Sequence, residues 1–126
     1  MRLLLDTAVL IWAASSPERL TRRARTAIEA GSNVLELSAV SLSEIALKEA
    51  RGKLSFNAAA VRQALEDLGV RVLPYTADHA FALFDLPPRH SDPFDRQIIA
   101  QALCEDIPVA TPDEKFRLYE GLKTIW

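Results

Sequence analysis

"DPFDRQIIAQALCEDIPVATPDEKF", residues 92–116, passes from a helix start through a helix to a short apolar strand and a second helix start. Asp92 suits the N-cap, Pro93 the first helical position and Asp95 the N3 position, where an acid favours the exposed N–H groups and the dipole. Residues 96–105 then read as helix, "PVAT" (108–111) as strand and "DEKFRLY" (113–119) as a short helix. Two aspartates three residues apart admit two readings. One is an ordinary helix start; the other is a carboxylate at a helix N-terminus placed to hold a metal. The choice depends on where the other acids fall.

Working outward, the alternation continues. "RLLL" (2–5), "VLELSAV" (34–40), "VRVLPY" (70–75) and "KTIW" (123–126) read as strands. "AVLIWAA" (8–14) is a short helix apolar almost all round, including Leu10, Ile11 and Trp12. "ERLTRRARTAIEAG" (18–31) is helical, with Gly31 as its C′ residue, and "SLSEIALKEARGK" (41–53) opens with Ser41 and Glu44 as a capping box. "AAAVRQALEDLG" (58–69) is an amphipathic helix stopped by glycine, and "TADHAFALFDL" (76–86) is a helix halted by Pro87 and Pro88. Apolar strands alternating with helices predict one α/β domain over 1–126, with a central parallel sheet covered by helices on both faces in three layers. In such sheets ligands sit beyond the carboxyl ends of the strands, where strand order reverses.

Composition agrees with one globular domain. The chain has 126 residues, 49% of them hydrophobic, enough to fill a core. Four glycines and seven prolines are too few for a disordered chain. The single cysteine, Cys104, excludes an internal disulfide and a cysteine-based zinc site; it fits a reducing cytosol and reads as a packed thiol inside an apolar helix. The first sixteen residues superficially resemble a signal peptide, but Asp6 cuts the apolar run and the segment supplies a strand. No apolar stretch approaches the ~20 residues of a membrane span. The expectation is a cytoplasmic protein beginning at its own initiator methionine. A net charge of −2 exerts no global pull on nucleic acid, and the groups Arg19, Arg22, Arg23, Arg25 and Lys48, Arg51, Lys53 each read as solvated helix faces.

The acids share a placement. Asp6 directly follows the first strand, Glu44 and Asp113 stand in the first turns after two others, and Asp95 opens the helix preceding "PVAT". Singly, Glu44 and Asp113 read as caps, whereas an acid immediately after a buried strand, like Asp6, must find donors or a cation. Unit charges ~5 Å apart at an effective dielectric of ~20 repel by roughly 3 kcal/mol. Four converging carboxylates therefore require protonation or a cation. An all-oxygen set suits Mg²⁺ or Mn²⁺ rather than zinc.

"LLLDT" (3–7), "SLSE" (41–44), "DPFDRQIIAQA" (92–102) and "ATPDEKF" (110–116) resemble, in order and across essentially the whole chain, the motifs of PIN domains, and most closely the VapC-type toxins of bacterial toxin–antitoxin pairs. The resemblance implies a metal-dependent endoribonuclease with Asp6, Glu44, Asp95 and Asp113 as its acids, cutting RNA to leave a 5′-phosphate and a 3′-hydroxyl. Asp6 and Asp95 would hold the metal, with Glu44 and Asp113 completing the shell through water, while Asp92 is the N-cap that places Asp95. It also implies a VapB-type antitoxin, bound in a groove involving helices such as 8–14, and a homodimer. His90 is read either as a residue behind the acids or facing RNA, or as a surface-loop imidazole. Thr7 and Thr111 are candidate donors to the carboxylates, and Arg96, Lys48 or Arg51 candidate phosphate contacts. Asp78 follows an expected edge strand and is read only as a helix-start acid.

Rival classes fare worse. A phosphorylatable receiver domain wants an aspartate ending its third strand, where this chain has "LPYT"; a haloacid-dehalogenase-like phosphatase needs an acid two residues after Asp6, where Ala8 stands. A PIN nuclease that processes RNA without being a toxin, and a catalytically silent PIN-like interaction module, remain the alternatives.

Overall fold

The computed structural model describes the whole chain, Met1–Trp126. Strand β1 (Arg2–Leu5) is the centre of the molecule, because Leu3, Leu4 and Leu5 are all fully buried. Leu4 points into one core with Ile98, Ile99, Val109 and Phe116, while Leu3 and Leu5 point into another with Val9, Leu37, Ile45 and Val61. A strand buried on both faces has no polar side to alternate with, which is why its sequence is a leucine run.

After β1 the chain forms α1 (Thr7–Ser15), a single 3₁₀ turn (Pro17–Arg19), α2 (Arg22–Glu29), β2 (Val34–Ser38), α3 (Ala39–Ala50), α4 (Ala58–Leu68) and β3 (Arg71–Leu73). It continues through α5 (Ala77–Ala82), a 3₁₀ turn (Leu83–Asp85), α6 (Pro93–Glu105), β4 (Val109–Ala110), a 3₁₀ helix (Glu114–Leu118) and β5 (Thr124–Ile125). The sheet is wholly parallel in the order β3-β2-β1-β4-β5, with Leu5 opposite Leu37 on one side and Ala110 on the other. The three-layer α/β expectation holds. Strand order reverses at β1, so the crevice lies beyond the carboxyl ends of β1 and β4.

Several local expectations are corrected. Helix α3 begins at Ala39, because the Ser38 hydroxyl accepts from the Val40 N–H at 3.0 Å as soon as β2 ends. Ser41 and Glu44 therefore form no capping box and lie inside the helix. The segment 18–31 divides: α2 starts at Arg22 behind the Thr21 cap, after the Pro17–Arg19 turn. Gly31 is not a left-handed C′ residue, since α2 leaves through extended Ala30 and the Asn33 side chain caps the Ala27 carbonyl at 2.8 Å. Gly69, by contrast, ends α4 in the left-handed conformation as expected. Asp113 is the N-cap of its 3₁₀ helix rather than a first-turn acid. Cys104 is exposed, not packed: α6 is buried all round only over residues 98–102, and its last turn reaches solvent.

Two further groups are already partnered. Glu36, inside β2, accepts from Arg2 at 2.6 and 3.1 Å, which removes it from any pool of unpaired acids. Trp12 of α1 packs against Trp126 at 5.9 Å and lies under the Arg19 guanidinium at 4.1 Å. No helix is long and apolar enough to cross a membrane.

Candidate active site

The crevice beyond β1 and β4 collects all four expected acids. Asp6 stands between β1 and α1, 7% exposed, and its Oδ2 accepts the Thr111 hydroxyl at 2.7 Å. Thr111, just past β4, in turn accepts the backbone N–H of Asp113 at 3.1 Å. On the other side, Thr7 Oγ1 donates to Glu44 Oε1 at 2.7 Å and lies 2.8 Å from Ser41 Oγ. Glu44 is 6% exposed, and its Oε2 accepts from Lys48 Nζ at 2.7 Å. The capping role proposed for Ser41 is thus replaced by a contact with Thr7, and both threonines act as donors to carboxylates.

Helix α6 delivers the third acid. Asp92 is its N-cap, accepting the Asp95 N–H at 2.9 Å, with Pro93 at the first helical position. The capping role of Asp92 matches the sequence reading. The Asp95 carboxylate faces the crevice, with Oδ2 at 3.1 Å from His90 Nε2; the same nitrogen is 2.7 Å from Asp113 Oδ2. His90, Asp95 and Asp113 offer ligand-type atoms within 4.8 Å of one another.

Charge crowding marks the centre of the cluster. Burial, and then the neighbouring Asp6, Asp92, Glu44 and Asp113, push the Asp95 carboxyl up to about 8. Burial likewise raises Asp6 to about 6, opposed by the Thr111 hydrogen bond and reinforced by Glu44 and Asp113. Lys48 moves up instead, held charged mainly by its hydrogen bond to Glu44. One lysine does not neutralise this many acids. Hard oxygen donors around an unneutralised centre fit a divalent cation of the Mg²⁺ or Mn²⁺ kind.

A cleft of ≈ 360 Å³ opens over these groups, bordered by Asp6, Glu44, Asp92, Asp95, Lys48 and Lys53. Of the three basic candidates, only Lys48 borders it. Arg96 is committed elsewhere, donating to the carbonyls of Leu86, Pro87 and His90 and to the Tyr119 hydroxyl at 3.0–3.3 Å. Arg51 ends α3 in solvent. Lys53, read from sequence as a solvated charge, reaches the cleft because Gly52 turns left-handed (φ 70°). That turn lets the Lys53 N–H return to the Lys48 carbonyl at 3.0 Å. Asp78 lies in the first turn of α5, after edge strand β3 and outside the site, as expected.

His90 is the group the sequence left undecided. It is 7% exposed, its ring sits edge-on to Phe116 at 5.9 Å, and its Nδ1 accepts the Asp92 N–H at 3.1 Å. The surface-loop reading is wrong. The available signal was its place two residues before the N-cap, within reach of the cap's own N–H.

Fold and site together define a parallel α/β domain whose carboxylates gather at the point of strand reversal. The PIN domain family model matches residues 3–122, and the chain belongs to the PIN domain family. Among solved structures it is similar to VapBC2 from Rickettsia felis bound to a DNA fragment from the promoter, with a TM-score of 0.74 at 16% identity, covering 98% of this chain and 97% of that one. VapBC-1 from nontypeable Haemophilus influenzae gives 0.70 at 20% identity, covering 98% and 96%. FitAcB from Neisseria gonorrhoeae gives 0.61 at 24% identity, covering 97% and 95%. At these identities the likeness is one of fold. No curated protein matches the chain significantly in sequence.

Proposed function

We propose that this protein is a divalent-metal-dependent endoribonuclease and the toxin of a type II toxin–antitoxin pair, acting in the cytoplasm. The observation that carries the reading is the gathering of Asp6, Glu44 and Asp95 on one cleft at the point of strand reversal, with Asp113 and Asp95 both beside His90 Nε2. Asp6 and Asp95 would hold Mg²⁺ or Mn²⁺, with Glu44 and Asp113 acting through water. When bound, the ion supplies a water of lowered pKa and neutralises charge on the scissile phosphate. Thr111 and Thr7 orient Asp6 and Glu44. A cation held there would favour the ionised form of Asp95. Lys48, beside Glu44 on the cleft wall, faces the path of an RNA backbone.

The toxin assignment is supported by PIN membership and by fold neighbours that are VapBC complexes. It carries with it a VapB-type antitoxin and a homodimer. An apolar groove of ≈ 350 Å³ between α3 and α4, bordered by Leu42, Ile45, Phe56, Val61, Leu65 and Val72, offers an antitoxin helix a seat. The exposed Phe81 and Phe84, stacked at 6.1 Å, leave further apolar surface for association.

Purified, partner-free protein incubated with structured cellular RNAs tests the activity. Cleavage is expected with Mg²⁺ or Mn²⁺, none with chelator and none for Asp95→Asn, whereas Asp92→Asn keeps most activity because asparagine caps a helix about as well. Equal loss in both variants contradicts the assignment of roles. The product of a small adjoining reading frame should bind the protein, block cleavage and relieve growth arrest. An active protein that is harmless on expression and has no such neighbour is an RNA-processing nuclease instead.

A further inference from the structure

His90, Asp95 and Asp113 bring ligand-type atoms within 4.8 Å of one another, which makes the role of the imidazole a chemical question. Its proton can be placed from its contacts. Nδ1 lies 3.1 Å from the backbone N of Asp92, a group that can only donate, so Nδ1 is the acceptor and carries no proton. In the neutral ring the proton is then on Nε2. Nε2 donates to Asp113 Oδ2 at 2.7 Å and lies 3.1 Å from Asp95 Oδ2. A nitrogen that donates in this way has no lone pair to offer a cation.

The opposite arrangement, with Nε2 bare for a metal, would turn an Nδ1–H toward the Asp92 N–H. Two donors would then meet at the residue that caps α6. The ring has no easy way out of this choice. The His90 N–H donates to the Tyr119 hydroxyl at 2.8 Å, its carbonyl accepts from Arg96 at 3.2 Å, and Phe116 closes its edge at 5.9 Å.

Resting on the metal-nuclease reading above, we infer that His90 is a positioning residue and not a metal ligand. Its Nε2–H, fixed by the helix cap, donates to Asp113 and holds that carboxylate beside the imidazole nitrogen that also neighbours Asp95. The link joins the 3₁₀ helix after β4 to the start of α6. The metal would then meet oxygen donors only, and selectivity would follow hard cations.

The test needs no substitution. In full-length, metal-free protein labelled with ¹⁵N-histidine, two-bond ¹H–¹⁵N correlations report each ring's tautomer, with His79 as the other signal. His90 is expected in the Nε2–H form and to stay there on saturation with Mg²⁺, followed in parallel by calorimetry. An Nδ1–H form, or loss of the Nε2 proton as Mg²⁺ binds, overturns the inference. His90→Ala should weaken Mg²⁺ and Mn²⁺ binding by roughly 10–100-fold, as loss of a group orienting ligands does. Unchanged affinity in that variant, folded by circular dichroism, also overturns it. An Nε2–H tautomer in a protein that binds neither cation upholds His90 as the residue that positions Asp113 and refutes the metal-nuclease reading instead.

Discussion

The Thr111 hydroxyl donates to Asp6 Oδ2 at 2.7 Å across a separation of 105 residues. Because β4 pairs in parallel with β1, the residue after one strand meets the residue after the other, and a single hydroxyl donates to Asp6 while accepting the Asp113 backbone N–H. Asp6 is nearly enclosed, so this donor is what keeps a carboxylate there tolerable.

Thr111→Val should therefore damage both fold and function. It leaves a buried carboxylate without its side-chain donor, a loss of about 1–3 kcal/mol, and lets the Asp6 pKa climb further. Cleavage should fall by roughly 10–100-fold, since the ligand loses its orientation. Thr111→Ser keeps the hydroxyl and should retain most of both. Denaturant melts alongside RNA cleavage separate the pair; a valine variant as active as wild type contradicts the role.

Arg96 makes a prediction of opposite kind. Its guanidinium ties the 86–90 loop to α6 and Tyr119, so Arg96→Lys loses hydrogen bonds that one ammonium cannot reproduce. Stability should drop by about 1–3 kcal/mol. A phosphate-binding arginine would instead raise KM for RNA at unchanged stability. Melting curves and cleavage kinetics on the same preparation decide between them.

The two raised carboxyls set a pH dependence with a definite sign. Asp6, near 6, and Asp95, near 8, hold protons in the folded protein that the unfolded chain releases around pH 4. The folded state binds more protons in that window, so stability is full below about pH 4 and falls as pH rises through each folded pKa. Metal-free melting temperatures should decline from about pH 4 to about pH 8 and then level, while Mg²⁺ affinity rises over the same range. Asp95→Asn should flatten the upper half and leave the part due to Asp6. A wild-type profile that rises across this window contradicts the charge crowding.

The strands and the acids were legible because each depends on one local fact. A leucine run predicts a strand covered on both faces, and Asp6 immediately after it must sit at the strand's end. Ser38 and Ser41 were confused because both have cap chemistry, and only the last β2 register bond decides where the helix starts. His90 was undecided because its burial comes from Phe116 and Tyr119, more than twenty residues away. Lys53 reaches the cleft through a left-handed glycine, a turn whose direction no charge pattern reveals. Cys104 was misplaced because the apolar pattern of α6 does not mark where the helix outruns the core. What escaped the sequence is what long-range packing determines.

The central claim is that Asp6, Glu44, Asp95 and Asp113 form one site whose mutual repulsion a cation relieves. Thermal melts of wild type and Asp95→Asn at about pH 8.5, with and without Mg²⁺, test it most directly. At that pH Asp95 is largely ionised, so the metal-free variant should melt several degrees above wild type, about 1 kcal/mol corresponding to roughly 2–8 °C. Wild type should gain about 2.7 kcal/mol at a hundredfold excess of Mg²⁺ over its Kd, and the variant much less. If Asp95 were only a favourable charge at the start of α6, its loss would cost about 0.3–1 kcal/mol. A destabilised variant beside a wild type indifferent to Mg²⁺ would contradict the site.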